Sequence, residues 1–280
     1  MTARQAARVT VALVRDTFRE ALARKIFLGF YALSTLLILF FLFLLKIDIV
    51  EGARATVTLF GQSSGRLRDV EALVRGFHAA IATFLYTWGM ALAVFASAGL
   101  IPTVLEAGRI ELLVSKPVRR SHVLLGRYLG NLAVVALNIC YLVAGVWLIF
   151  GWKTGVWRAD FLLAIFTTTF IFAVLLSVIL LTGVLFESAA VTVMIVFGMM
   201  LLSPILAQTR LMERLLSSEW SRVLWKALYY VLPKVFDIGR MTLDLVHGRP
   251  AGSWMPVWTS GLFALATLGA GLWLFTRRDY

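Results

Sequence analysis

Six stretches of this 280-residue chain each run for twenty or more residues without a charged side chain. They are Ile26–Leu45, Ala79–Leu105, Tyr128–Trp152, Phe161–Phe186, Ser188–Thr209 and Pro250–Thr276. A helix crosses the hydrocarbon of a bilayer with about 20 apolar residues, whereas a membrane strand needs about 10 with strict alternation. No stretch alternates strictly, so the pattern predicts an all-α integral membrane fold of six transmembrane helices. Residues 1–280 then form a single transmembrane domain. Only 15% of the residues are charged and mean hydropathy is +0.87, against about a quarter charged in soluble domains.

The formal charge is +12. Its basic residues flank the apolar stretches, which makes lipid headgroups, not nucleic acid, the expected partner. Cys140 is alone, so neither an intrachain disulfide nor a cysteine metal site is expected. The first apolar stretch is too long for the core of a cleavable signal peptide.

Residues 1–25 read as an amphipathic elbow helix lying on the membrane. Val11, Val14, Phe18 and Leu22 recur at helical spacing, Arg8, Arg15 and Arg19 supply the polar side, and Arg24-Lys25 precede the first span. Lys46–His78 is a mixed-charge segment with a turn signal at Gly61–Gly65. Ser121 suits the N-cap of the third span, and Glu187-Ser188 leaves room only for a tight hairpin between the fourth and fifth. Residues 210–249 are the longest polar insertion. Within them Trp220–Leu232 suits an interfacial helix that Pro233 breaks. Basic residues beside span ends (Arg24-Lys25, Arg119-Arg120, Arg127, Arg277-Arg278) favour both termini in the cytoplasm.

The segment 103–120, between the second and third spans, is the most distinctive. It is too polar to enter lipid and too short for a domain. Glu106, Glu111, Leu112 and Leu113 suggest a short helix with a charged and an apolar face, stopped by Pro117. Two readings stand: an interfacial turn, or a docking helix for a soluble cytoplasmic partner.

Other candidate chemistry is thin. Gly61-x-Ser63-x-Gly65 has the spacing of a nucleophile elbow, but such a serine needs a strand–turn–helix setting and an acid–base partner. His78, His122 and His247 are scattered, without metal-ligand spacing, and each is expected outside a span. Glu187 reads as a wet turn residue. Asn138 and Thr167–Thr169 suit either hydrogen bonding across helices or a place on a substrate path, the first being the commoner role. Gly261, Ala266, Ala270 and Gly271 suit close helix contact. No Gly-x-x-x-x-Gly-Lys-Ser/Thr phosphate loop occurs; the one Lys-Thr pair, Lys153-Thr154, follows Trp152.

The run Glu106-x-Gly108-x-Ile110-Glu111-Leu112-Leu113-x-Ser115-Lys116-Pro117-x-Arg119, followed by Leu124-Leu125-Gly126-Arg127-Tyr128-Leu129-Gly130, resembles ABC-2-type permeases. These are the membrane subunits of ABC transporters with the type V exporter fold. Arg109 stands where that family usually has Thr, and Arg127 where it usually has Lys. The resemblance implies that residues 103–120 form a coupling helix seated in a separate ATPase. Glu106, Gly108, Arg109, Glu111, Leu112, Leu113, Lys116, Pro117 and Arg119 would make the contacts.

The elbow helix, through Arg15, Arg19, Arg24 and Lys25, would touch the same ATPase. A second permease copy or paralogue would complete the path, and residues 210–249 would be a helical insertion on the extracytoplasmic side. ATP and magnesium would sit on the partner ATPase, with no cofactor or catalytic residue in this chain. The expected site is the inner (cytoplasmic) membrane, and the expected activity export of a substrate that the sequence does not name. The competing readings are a secondary transporter, which needs buried charges in its spans, and an intramembrane hydrolase, which needs Ser and His there.

Overall fold

The computed structural model describes residues 15, 25–50, 54–59, 62–63, 68–99, 102, 120–208, 215 and 218–277. Residues 103–119, with every expected coupling contact from Glu106 to Arg119, lie outside them. So do Arg19 and Arg24 of the expected elbow; Arg15 is helical and exposed.

The first helix, α1, is Lys25–Leu39, and it runs on as a five-residue π-helix, Phe40–Leu44. Four short strands follow: β1 (Leu45–Val50), β2 (Arg54–Leu59), β3 (Gln62–Ser63) and β4 (Arg68–Asp69). β1 pairs antiparallel with β2 from Leu45↔Leu59 to Val50↔Arg54, and β2 also pairs with β3 and β4. The β-branched run Thr56-Val57-Thr58 favours this strand. The sheet occupies the mixed-charge segment and leaves the apolar part helical. Ser63 falls on β3 opposite Thr58, not on a strand-to-helix elbow, which removes the nucleophile reading.

The second helix, α2, spans Val70–Ala98 and carries a π-helical turn at Leu85–Gly89. Asp69 caps it by accepting from the Glu71 N–H at 3.2 Å. It starts nine residues before the expected Ala79, so His78 lies inside the helix and is 1% exposed. The third helix, α3, is Arg120–Thr154. Ser121 is therefore within the helix and not its cap. A 3₁₀ turn, Ala159–Leu162, leads into α4 (Leu163–Phe186).

Helix α4 is apolar on all sides and packs against α2, α3 and the later helices, as the central post of the bundle. It ends at Glu187, which takes the left-handed conformation (φ 51°). Ser188 then caps α5 (Ala189–Leu206) by accepting from the Val191 N–H at 3.5 Å.

Three helices complete the chain: α6 (Glu219–Val231), α7 (Val235–Val246) and α8 (Met255–Arg277). Pro233 separates α6 from α7, as expected. The two differ sharply: α6 buries no residue, while α7 buries Val235, Ile238, Met241, Thr242 and Val246. Of the described helices in the expected insertion, one is thus surface and the other core. Gly248 ends α7 at φ 73°, where a Cβ would lie 2.7 Å from Arg158 Nη2, so glycine is required there.

Among the described residues, five helices are long and apolar enough to cross a membrane: α2, α3, Ala159–Phe186, α5 and α8. The first apolar helix, Leu28–Leu44, is shorter. One end of the bundle gathers the end of α1, the start of α2, the end of α3 and the start of α4. Two contacts define it: Lys153 to the end of α1, and Arg158 to Glu71. At the other end Leu124, Leu180, Val184 and Phe275 pack together, beside the Glu187 turn.

Of the small residues in α8, Gly271 permits the expected close contact: a Cβ there would lie 2.5 Å from Leu180 Cδ2. Ala266 and Ala270 are exposed instead.

Candidate functional site

A groove of about 390 Å³ opens between α2, α5 and α7. Its walls are apolar because each helix contributes its bulky face: Tyr86 and Trp88 from α2, Phe197, Met200 and Leu201 from α5, and Phe236 from α7. The π-helical turn of α2 forms one wall, and such turns are often found at functional sites. Thr83 and Thr87 also face the groove, but their hydroxyls donate to Ala79 O and Thr83 O at 2.8 and 2.7 Å. Arg240 is the one charged residue among the residues that line it.

Helix α7 packs along α2, α4 and α5, and its start is held there. Its first N–H groups have no cap from their own segment. Hydroxyls of neighbouring helices replace it: Lys234 N donates to Ser260 Oγ of α8 at 3.0 Å, and Phe236 N to Ser203 Oγ of α5 at 2.9 Å. Tyr86 of α2 donates its hydroxyl to Val235 O. Gly239 lets the two helices meet, since a Cβ there would lie 2.7 Å from the Tyr86 ring. Val235 thus reaches a point more than halfway along α2.

Lys234, at the turn between α6 and α7, is 2% exposed. Its ammonium donates to Tyr229 O at 2.9 Å and lies 4.5 Å from the Tyr229 ring centroid. Burial lowers its pKa, with Asp237 opposing. Burial, then the hydrogen bond from the Tyr229 hydroxyl to Asp237 Oδ2 at 2.9 Å, pushes Tyr229 well above the usual phenol range. The sequence signal for this cluster was faint: one lysine after a proline in an apolar run.

The charged residues of the α3–α4 link are clasped. Arg158 pairs with Glu71 and, at 2.6 Å, with Asp160, while Arg75 pairs with Glu71 at 2.9 Å. His78 stacks on Phe161 with centroids 4.2 Å apart, and its Nε2 has no hydrogen-bond partner. A histidine inside a span was not expected, but a hydrolase would also need a nucleophile and a base within hydrogen-bond reach. No such pair involves His78 among the described hydrogen bonds. No group of three His, Cys, Asp or Glu able to hold a metal occurs among the described residues.

Most hydroxyls inside the bundle bond back to their own helix, but some polar side chains join helices. Ser34 donates to Asn138 at 3.2 Å, Asn131 to Ser97 at 2.7 Å, and Ser177 shares a 2.6 Å hydrogen bond with Thr267. Asn138 therefore does what its position suggested. Thr168 is buried with an unpartnered hydroxyl. Glu187 occupies the turn between α4 and α5.

The described part is a bundle of apolar helices with an apolar groove. The family described as "ABC-2 family transporter protein" matches residues 11–280. The chain belongs to the ABC-2 transporter family. It is an integral membrane protein and a membrane permease subunit of an ABC transporter. No curated protein matches the chain. The segment expected to couple to an ATPase, 103–120, lies almost wholly outside the described residues.

Proposed function

We propose that this chain is the permease half of an ABC exporter with six crossings, working as a dimer with a second copy or a paralogue. ATP and magnesium are bound and used by a separate ATPase. The observation that carries this reading is family membership along almost the whole chain, in a sequence with no phosphate loop of its own.

The first crossing is α1. Its α-helical and π-helical parts run for fifteen and five residues, about 30 Å at helical rise. With six crossings the termini, the 103–120 segment and the Glu187 turn share one end of the bundle, which we assign to the cytoplasm. The α6–α7 hairpin then dips into the bundle from the extracytoplasmic side, held by Tyr86, Ser203 and Ser260. Glu106, Gly108, Arg109, Glu111, Leu112, Leu113, Lys116, Pro117 and Arg119 dock on the ATPase, with the elbow residues Arg15, Arg19, Arg24 and Lys25 beside them. Closure of two ATPases on ATP tilts the helices between inward- and outward-open states, a rigid-body switch driven by differential nucleotide affinity.

The test is purification from native membranes in mild detergent, with bound proteins identified by mass spectrometry. A stoichiometric phosphate-loop ATPase is expected. The double variant Glu106→Lys, Glu111→Lys should lose most of it while keeping its helical circular dichroism. Recovery of the chain without an ATPase, from membranes where the ATPase is expressed, would sink the coupling scheme.

A further inference from the structure

We infer that the groove between α2, α5 and α7 holds an acyl chain of an anionic membrane phospholipid, with the phosphate paired to Arg240. The inference rests on the membrane-permease reading and adds to it a ligand of stated chemistry.

Three observations carry it. The first is the state of Arg240. It is exposed, and its guanidinium makes no ion pair or hydrogen bond among the described residues, whereas Arg75 and Arg158 are paired. The carboxylates on its own helix are engaged elsewhere: Asp237 accepts from Tyr229, and Asp244 lies 3.9 Å from Arg249. A guanidinium on an apolar wall is costly unless an anion meets it, and phosphate matches its fork of donors.

The second is the rim. Trp88 and Leu201 are 65% and 68% exposed, so the rim of the groove is large and apolar, as a face set against lipid tails would be. A water-borne anion would have to cross that surface; a lipid is already in it. The third is shape. About 390 Å³ of free space lies within the range of small-ligand pockets, about 300–1,000 Å³. The π-helical turn of α2 and Pro204 of α5 interrupt the flanking helices beside it. Arg240 stands about one helical turn from Phe236 along α7. This is the arrangement a single amphiphile requires, with tail against the aromatic wall and head at the cation.

Trp88 is itself the reporter. The full chain with its co-purified ATPase would be placed in nanodiscs containing brominated-chain phosphatidylglycerol or brominated-chain phosphatidylcholine. Quenching of the emission present in the wild type but absent from Trp88→Phe would be followed. Half-quenching by phosphatidylglycerol is expected at about a five-fold lower mole fraction, the effect of one basic side chain near the surface. Arg240→Ala should abolish the preference and Arg240→Lys should keep most of it. Equal quenching by both lipids would overturn the inference and leave only unselective boundary lipid. Absence of quenching would overturn it too, because protein, such as a second copy, would then cover the groove. Either result with the ATPase still bound leaves the permease reading standing.

Discussion

Lys234 shows how one residue can fix a turn that the chain would otherwise leave loose. Its buried ammonium ties the end of α6, through Tyr229 O, to the start of α7. Lys234→Met keeps the volume and deletes the charge-assisted bond, and should cost about 2 kcal/mol, read as a lower unfolding temperature in detergent. Tyr229 gives a pH signature. Its folded pKa is raised above its ordinary 10.0, so its contribution is fully present below pH 10 and is lost as pH rises above that. The stability advantage of the wild type over Tyr229→Phe should be flat below pH 10 and shrink above it. An advantage that grows with alkali would contradict the burial described.

Helices α2 and α7 approach as closely as they do because position 239 has no side chain. Gly239→Ala should cost about 1–3 kcal/mol, since the Tyr86 ring cannot give way without losing its bond to Val235. Gly198→Ala is the control: nothing lies within 4 Å, and α5 should gain up to about 1 kcal/mol from helix propensity. At this scale the sequence was legible wherever one local signal sufficed. Charge-free length located the apolar helices, Pro233 the break between α6 and α7, and Glu187-Ser188 the hairpin. It misled where tertiary contacts decide. The start of α2 was hidden because Glu71 and Arg75 look like loop residues until Arg158 and Asp69 are seen to hold them. The sheet was hidden because its pairing partners are separated by polar turns. Arg240 and Lys234 were passed over because nothing in their neighbours along the chain hints at a groove.

The described bundle has two unlike ends: clasped charges at one, and the turn at Glu187 at the other. In a Cys140→Ser background, Trp157→Cys should react with an impermeant maleimide in intact cells. Glu187→Cys should react only after permeabilisation. The reverse pattern would invert the orientation proposed here. Lys153 carries a further meaning at this scale. Its ammonium donates to Phe41 O, Leu42 O and Leu45 O at 2.9, 2.7 and 2.5 Å, across 112, 111 and 108 residues of chain. Those carbonyls end a helix that the ribosome has finished long before the lysine is made. At about 5–20 residues per second the wait is on the order of ten seconds. During biogenesis, therefore, the first helix must sit in the insertion machinery, or with its end in water, as a half-made part. It is completed only when the third helix arrives.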